Sequence, residues 1–145
     1  MRTLSIASAA LLAAVATACG PAHKSSRGFH LPDGDPAAGR QVLVDLQCTA
    51  CHTVNGETGL PAPVADPPVN VRLGGYVSQP RTDGQLAASI IAPSHHIRRG
   101  DGPGQVQSQG LSRMGDFGEA MSVRQLADLV AYLHTRYEVL DPPVL

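Results

Sequence analysis

Cys48-Thr49-Ala50-Cys51-His52 constrains this chain more than any other stretch. Two cysteines three positions apart serve a thiol redox pair, half of a zinc site, or covalent attachment of a haem. A thioredoxin-like redox pair needs a βαβ pattern around it, and no such pattern surrounds these residues. A structural zinc site needs four nitrogen or sulfur ligands, and no second ligand pair here has finger-like spacing. The histidine directly after the second cysteine fits the third reading. Each thiol adds across a haem vinyl group, and His52 then lies where it can bind the iron from one side. The expected cofactor is therefore one covalent haem c, held by Cys48 and Cys51.

The rest of the chain is consistent with a buried cofactor. Its 145 residues suit one domain of ordinary size, and 43% of them are apolar. Aromatic residues make up only 3%, with no Trp, so a haem would supply bulk that the side chains lack. A net charge of −1 gives no basis for nucleic-acid binding.

The first 18 residues read as a signal peptide. Arg2 supplies the positive start, Leu4 to Val15 the apolar stretch, and Ala16-Thr17-Ala18 a small-residue cleavage site. The apolar run is shorter than the roughly 18–20 residues needed to span a membrane. Of the three cysteines, only Cys19 lies outside the haem motif, and it would begin the mature chain. Ala16-Thr17-Ala18-Cys19 resembles a bacterial lipobox, with Ala16 where Leu is usual. Lipidation of Cys19 would account for the third thiol and hold the protein at a membrane surface. Gly20 in second position is the residue type that permits outer-membrane sorting. Residues 19–34 read as a flexible tether, with His23 and His30 as solvated linker residues.

A domain is expected over residues 35–138 and a short tail over 139–145. Asp35 and Pro36 form a cap and first turn, after which Val42, Leu43 and Leu46 share a helical face. Gly39 sits where a small residue would let another helix approach closely. Prolines 61, 63, 67, 68 and 80 break residues 53–81 into a long irregular loop, which a haem would give something to wrap. Thr82 and Gln85 suggest a capping box for a short helix over 85–92. Ser122 and Gln125 form a second box, with Met121 and Leu126 as a hydrophobic staple. Leu126, Leu129, Val130, Leu133 and Tyr137 then make the clearest helical stripe, which places His134 on the surface. No segment shows the alternation of a strand. The expected fold class is all-α, with three or more helices and long loops around the haem.

Met114 is the first candidate for the second axial position. A thioether stabilises ferrous iron, and Gly115 lets its loop bend towards the metal. Met121, His95 and His96 are the alternatives, as is an open iron face.

Asp35 to Glu138 resembles the class I bacterial cytochromes c. The resemblance rests on a helix leading into Cys48-Thr49-Ala50-Cys51-His52, on Met114-Gly115-Asp116-Phe117, and on the closing helix from Gln125 to Leu133, in that order. It implies first and last helices that cross closely, His52 and Met114 on the iron, and one-electron carriage rather than catalysis. The implied partners are redox proteins of the periplasm or membrane, such as a dehydrogenase, an oxidase or a respiratory complex. A fixed haem subunit of a larger oxidoreductase, or a small sensor or catalyst with open iron, is the alternative. Two departures stand out. Gly115 replaces the proline usual after the ligand methionine. The Gly-Pro whose carbonyl orients the proximal histidine has no single counterpart among Pro63, Pro67 and Pro68. Arg72, Tyr76 and Arg81 are candidate donors to the haem propionates.

Overall fold

The computed structural model describes residues 29–66, 68–97 and 106–140. The expected signal peptide, Cys19, His23, Pro67 and all but two residues of the tail lie outside them. Helix α1 runs Pro36–Asp45. Asp35 accepts a hydrogen bond from Ala37 N at 2.8 Å, and Pro36 occupies the first turn, where its missing N–H costs nothing. Helix α2 runs Asp83–Ile91 and α3 runs Val123–His134. Both open on complete capping boxes, Thr82 with Gln85 and Ser122 with Gln125. Helix α2 thus starts two residues before the position read from sequence, directly after its cap.

Helices α1 and α3 cross at glycine. A Cβ on Gly39 would collide with the backbone carbonyl of Asp128, and one on Gly34 with that of Ala127. The core gathers at this crossing from Val42 and Leu43 of α1 and Leu126, Leu129, Val130, Tyr132 and Leu133 of α3. Leu86, Ala87 and Ile90 of α2 complete it. Leu31 belongs to the same cluster and is only 4% exposed. The end of the expected tether is therefore packed on the domain. Asp128 reinforces this, because its buried carboxylate accepts from Asp35 N at 2.8 Å while Arg124 donates to Asp33 O.

The expectation of helices and loops alone is corrected by six short strands among the described residues. Strand β1 (His52–Val54) pairs in parallel with β2 (Val71–Leu73). Strand β3 (Gly75–Val77) pairs in parallel with β6 (Tyr137–Val139). Strands β4 (Gln107–Ser108) and β5 (Leu111–Ser112) form an antiparallel pair. At two or three residues each, they are too short for alternation to register in a sequence. Gly74 joins β2 to β3 at φ +81°, and a Cβ there would press on Arg136 O. Only glycine meets both demands without strain.

Candidate functional site

The cysteine motif is set by the end of α1. Gln47 takes a left-handed φ of 54° and turns the chain into a 3-10 turn over Cys48–Ala50. Ala50 O then accepts from Val64 N and Ala65 N, both at 3.0 Å, and Cys51 O accepts from Val71 N at 2.9 Å. These bonds fold the proline-rich loop back onto the motif.

His52 opens β1 opposite Val71. Its Nδ1 lies 2.9 Å from the Val71 carbonyl, so Nδ1 carries the proton and Nε2 keeps its lone pair for a ligand. This corrects the search for a proline acceptor: Pro63 and Pro68 border a separate small cleft with Val69 and Asn70. Burial lowers the imidazole pKa, against the Val71 contact that raises it, which favours the neutral ring a metal ligand needs. Burial pushes the Cys48 thiol up, assisted by Cys51 and opposed by a backbone hydrogen bond.

His52 and Cys48 line a cavity of about 760 Å³. That volume falls within the roughly 300–1,000 Å³ typical of cofactor pockets. Leu43, Leu73, Leu86, Ile90, Leu129 and Leu133 give it apolar walls from all three helices and β2. Met114, Met121, His95 and His96 border the same space, so the structure brings together every sequence candidate for the second axial position. Ser112 Oγ accepts from Met114 N at 3.1 Å and fixes the backbone there, while Met121 packs against the core beside α3. The cysteine pair, a neutral imidazole and apolar walls suit a covalently held, largely hydrophobic macrocycle. Among the described residues no group of three or more His, Cys, Asp or Glu side chains could hold a bare metal ion.

Of the three propionate candidates, Arg72 and Arg81 line the cavity. Tyr76 does not, and is 70% exposed. The Nε of Arg81 is buried without a hydrogen-bond partner.

Two polar clusters escaped the sequence reading. His134 is not a surface residue: its Nε2 lies 2.9 Å from Oδ1 of buried Asp83, and only 18% of its side chain is exposed. His30 approaches the other Asp83 oxygen at 3.4 Å, and Leu31 N donates to it. This carboxylate joins the start of α2 to the end of α3 and to the segment before α1. In the second cluster Tyr132 donates to Glu57 at 2.7 Å, Arg40 donates to the same carboxylate at 3.1 Å, and Arg136 lies at 3.5 Å. The Tyr132 hydrogen bond is the main reason the Glu57 pKa is lowered, and the arginines add to it. Burial, then Glu57, pushes the Tyr132 phenol up to about 12. Glu57 lies in no motif, and the capping box that spans Asp83 gives no hint of its distant partners.

A family model described as cytochrome c matches residues 36–136. No curated protein matches the chain.

Proposed function

The chain belongs to the cytochrome c family, whose domains bind covalent haem c and transfer electrons, and on that premise we propose an exported one-electron carrier with His52 and Met114 as axial ligands. The observation that carries the reading is the placement of His52, held through Nδ1 by Val71 O at the wall of an apolar cavity that Met114 also borders. When bound, the haem supplies an iron that alternates between the ferric and ferrous states. The chain's own residues hold it, exclude water and set its ligand field. The Val71 contact fixes the His52 tautomer, and the Met114 thioether would favour ferrous iron.

Met114 is favoured over Met121 because Met121 is occupied against the core at the start of α3. Ligation by both His52 and Met114 would leave the iron no open position for a substrate, which favours a carrier over an enzyme. Cytochrome c domains are typically extracytoplasmic, which agrees with the signal peptide read over residues 1–18. Among the described residues no helix is long and apolar enough to cross a membrane. Lipid on Cys19 would supply the attachment. A flexible tether after Cys19 would keep the domain close to membrane redox partners, raising their effective concentration.

The test is carbon monoxide binding by the reduced, haem-loaded protein. The carrier reading predicts little binding at neutral pH, because the iron has no open position. Tight, rapid binding would instead support a sensor or catalyst. Attachment is tested separately with Cys19→Ser, which should move the protein from the membrane fraction to the soluble one.

A further inference from the structure

The hydrogen bond between His52 and Val71 depends on two strands that hold each other weakly. Strands β1 and β2 have three residues each and pair in parallel, and a two-stranded pair is marginal in water on its own. Val71 N donates to Cys51 O at 2.9 Å and Asn55 N donates to Leu73 O at 2.8 Å, closing the pair at its two ends. Val54 is buried in the core and Leu73 packs against it, but hydrophobic contact is non-directional. A hydrogen bond weakens steeply once misaligned, so the Val71 carbonyl needs a directional restraint to stay on Nδ1. Glu57 supplies one. Its N–H donates back to Val54 O at 3.2 Å, which couples it to the end of β1 through the turn at Gly56. Its side chain is 14% exposed and accepts from Arg40 of α1 at 3.1 Å and from Tyr132 of α3 at 2.7 Å. Arg136 completes the brace. Its Nη1 lies 3.5 Å from the Glu57 carboxylate, and its carbonyl accepts from Gly75 N at 2.8 Å, just beyond the end of β2. The exits of both strands are thus held to the helix crossing through one carboxylate and one arginine.

We propose that Glu57 is a positioning residue for the proximal ligand: by tying the exit of β1 to α1 and α3, it keeps the Val71 carbonyl on the Nδ1 proton of His52. The proposal rests on the haem c reading and goes beyond it, because Glu57 does not line the cavity. It acts through the backbone of β1, from five positions beyond the histidine. The helix crossing, closed by the chain's own atoms, in this way sets the geometry of a ligand to the iron. A carboxylate suits the task. Hydrogen bonds to a charged acceptor are shorter and stronger than those between neutral groups, and a guanidinium donates along fixed directions. Without that carboxylate the Tyr132 hydroxyl loses its acceptor, and the turn after β1 loses its ties to both helices.

The experiment follows the Nδ1 proton of His52 by NMR in the intact, haem-loaded, ferrous protein, in the wild type and in Glu57→Ala and Glu57→Gln. Solvent exchange of that proton should accelerate about tenfold or more in Glu57→Ala, together with the amides of Asn55 and Gly75 at the two strand exits. The amides of Leu129 and Val130 at the helix crossing are the internal control and should accelerate by clearly less. Glu57→Gln keeps the length of the side chain and an oxygen for Tyr132, and should recover part of the protection. Should the Ala variant fail to mature, Glu57→Gln carries the same expectation at a smaller size. Equal acceleration of the Nδ1 proton and of the α3 amides would reduce Glu57 to a general stabilising contact and overturn the proposal. So would wild-type exchange of the Nδ1 proton in Glu57→Ala. Absence of an iron-bound His52 ring from the wild-type protein would defeat the haem c reading and the proposal with it, a result distinct from a normal His52 signal that ignores Glu57.

Discussion

The two sides of α3 are built differently. One side meets α1, where Gly39 admits the partner backbone and Tyr132, 2% exposed, joins Glu57, Arg40 and Arg136 in a satisfied polar cluster. The other side presents Leu129 and Leu133 to a cavity of about 760 Å³, whose far wall is α2 and the segment around Met114. The first region is closed by the chain's own atoms. The second has apolar walls and an unpaired buried donor, and only a cofactor completes it. On this account the domain's stability would divide between a self-sufficient half and a haem-dependent half.

The largest effect should come from withholding the haem. In Cys48→Ser/Cys51→Ser, amide exchange should accelerate by orders of magnitude in α2 and around Met114, while α1 and α3 keep more of their protection. Uniform loss of protection would show that the helix crossing also depends on haem. Next is Leu43→Ala, which removes a side chain 1% exposed at the junction of both regions and should cost about 2–5 kcal/mol in denaturant unfolding. Tyr132→Phe should cost about 1.5–3 kcal/mol, the usual value of a hydrogen bond to a charged group, and leave the haem spectrum unchanged.

The same cluster gives a pH signature. The Glu57 pKa is lowered in the folded state, so its contribution is present above the unfolded value and is lost as pH falls through the folded one. Tyr132 is raised to about 12, so its contribution is full below its unfolded pKa near 10 and is lost as pH rises through 12. Tyr132→Phe should abolish the alkaline loss and weaken the acid one, read from urea midpoints across pH. The smallest effect is Ser122→Ala, about 1 kcal/mol from the lost cap of α3.

What could be read from sequence was what local chemistry encodes. The caps at Asp35, Thr82 and Ser122, the stripe of α3, and the motif at Cys48-Cys51-His52 all depend on neighbours within a few residues. Gly39 was legible because a small residue in that helix permits a close approach. The Val71 acceptor was hidden because it depends on parallel pairing between three-residue strands 19 positions apart. The Glu57 cluster joins residues 40, 57, 132 and 136, and the Asp83 cluster joins 30, 31, 83 and 134, so neither leaves a local trace. Leu31 shows the same limit, since one leucine in a polar stretch does not announce its burial. The surface assignment of His134 failed because helical periodicity describes one helix and says nothing about a carboxylate arriving from another.

The most direct measurement is the optical spectrum of the haem-loaded protein and of Met114→Ala, in both oxidation states and including the weak near-infrared sulfur-to-iron band. The account predicts low-spin iron in the wild type and loss of that band in the variant. High-spin wild-type iron, or a band that survives the substitution, would contradict Met114 as the ligand opposite His52.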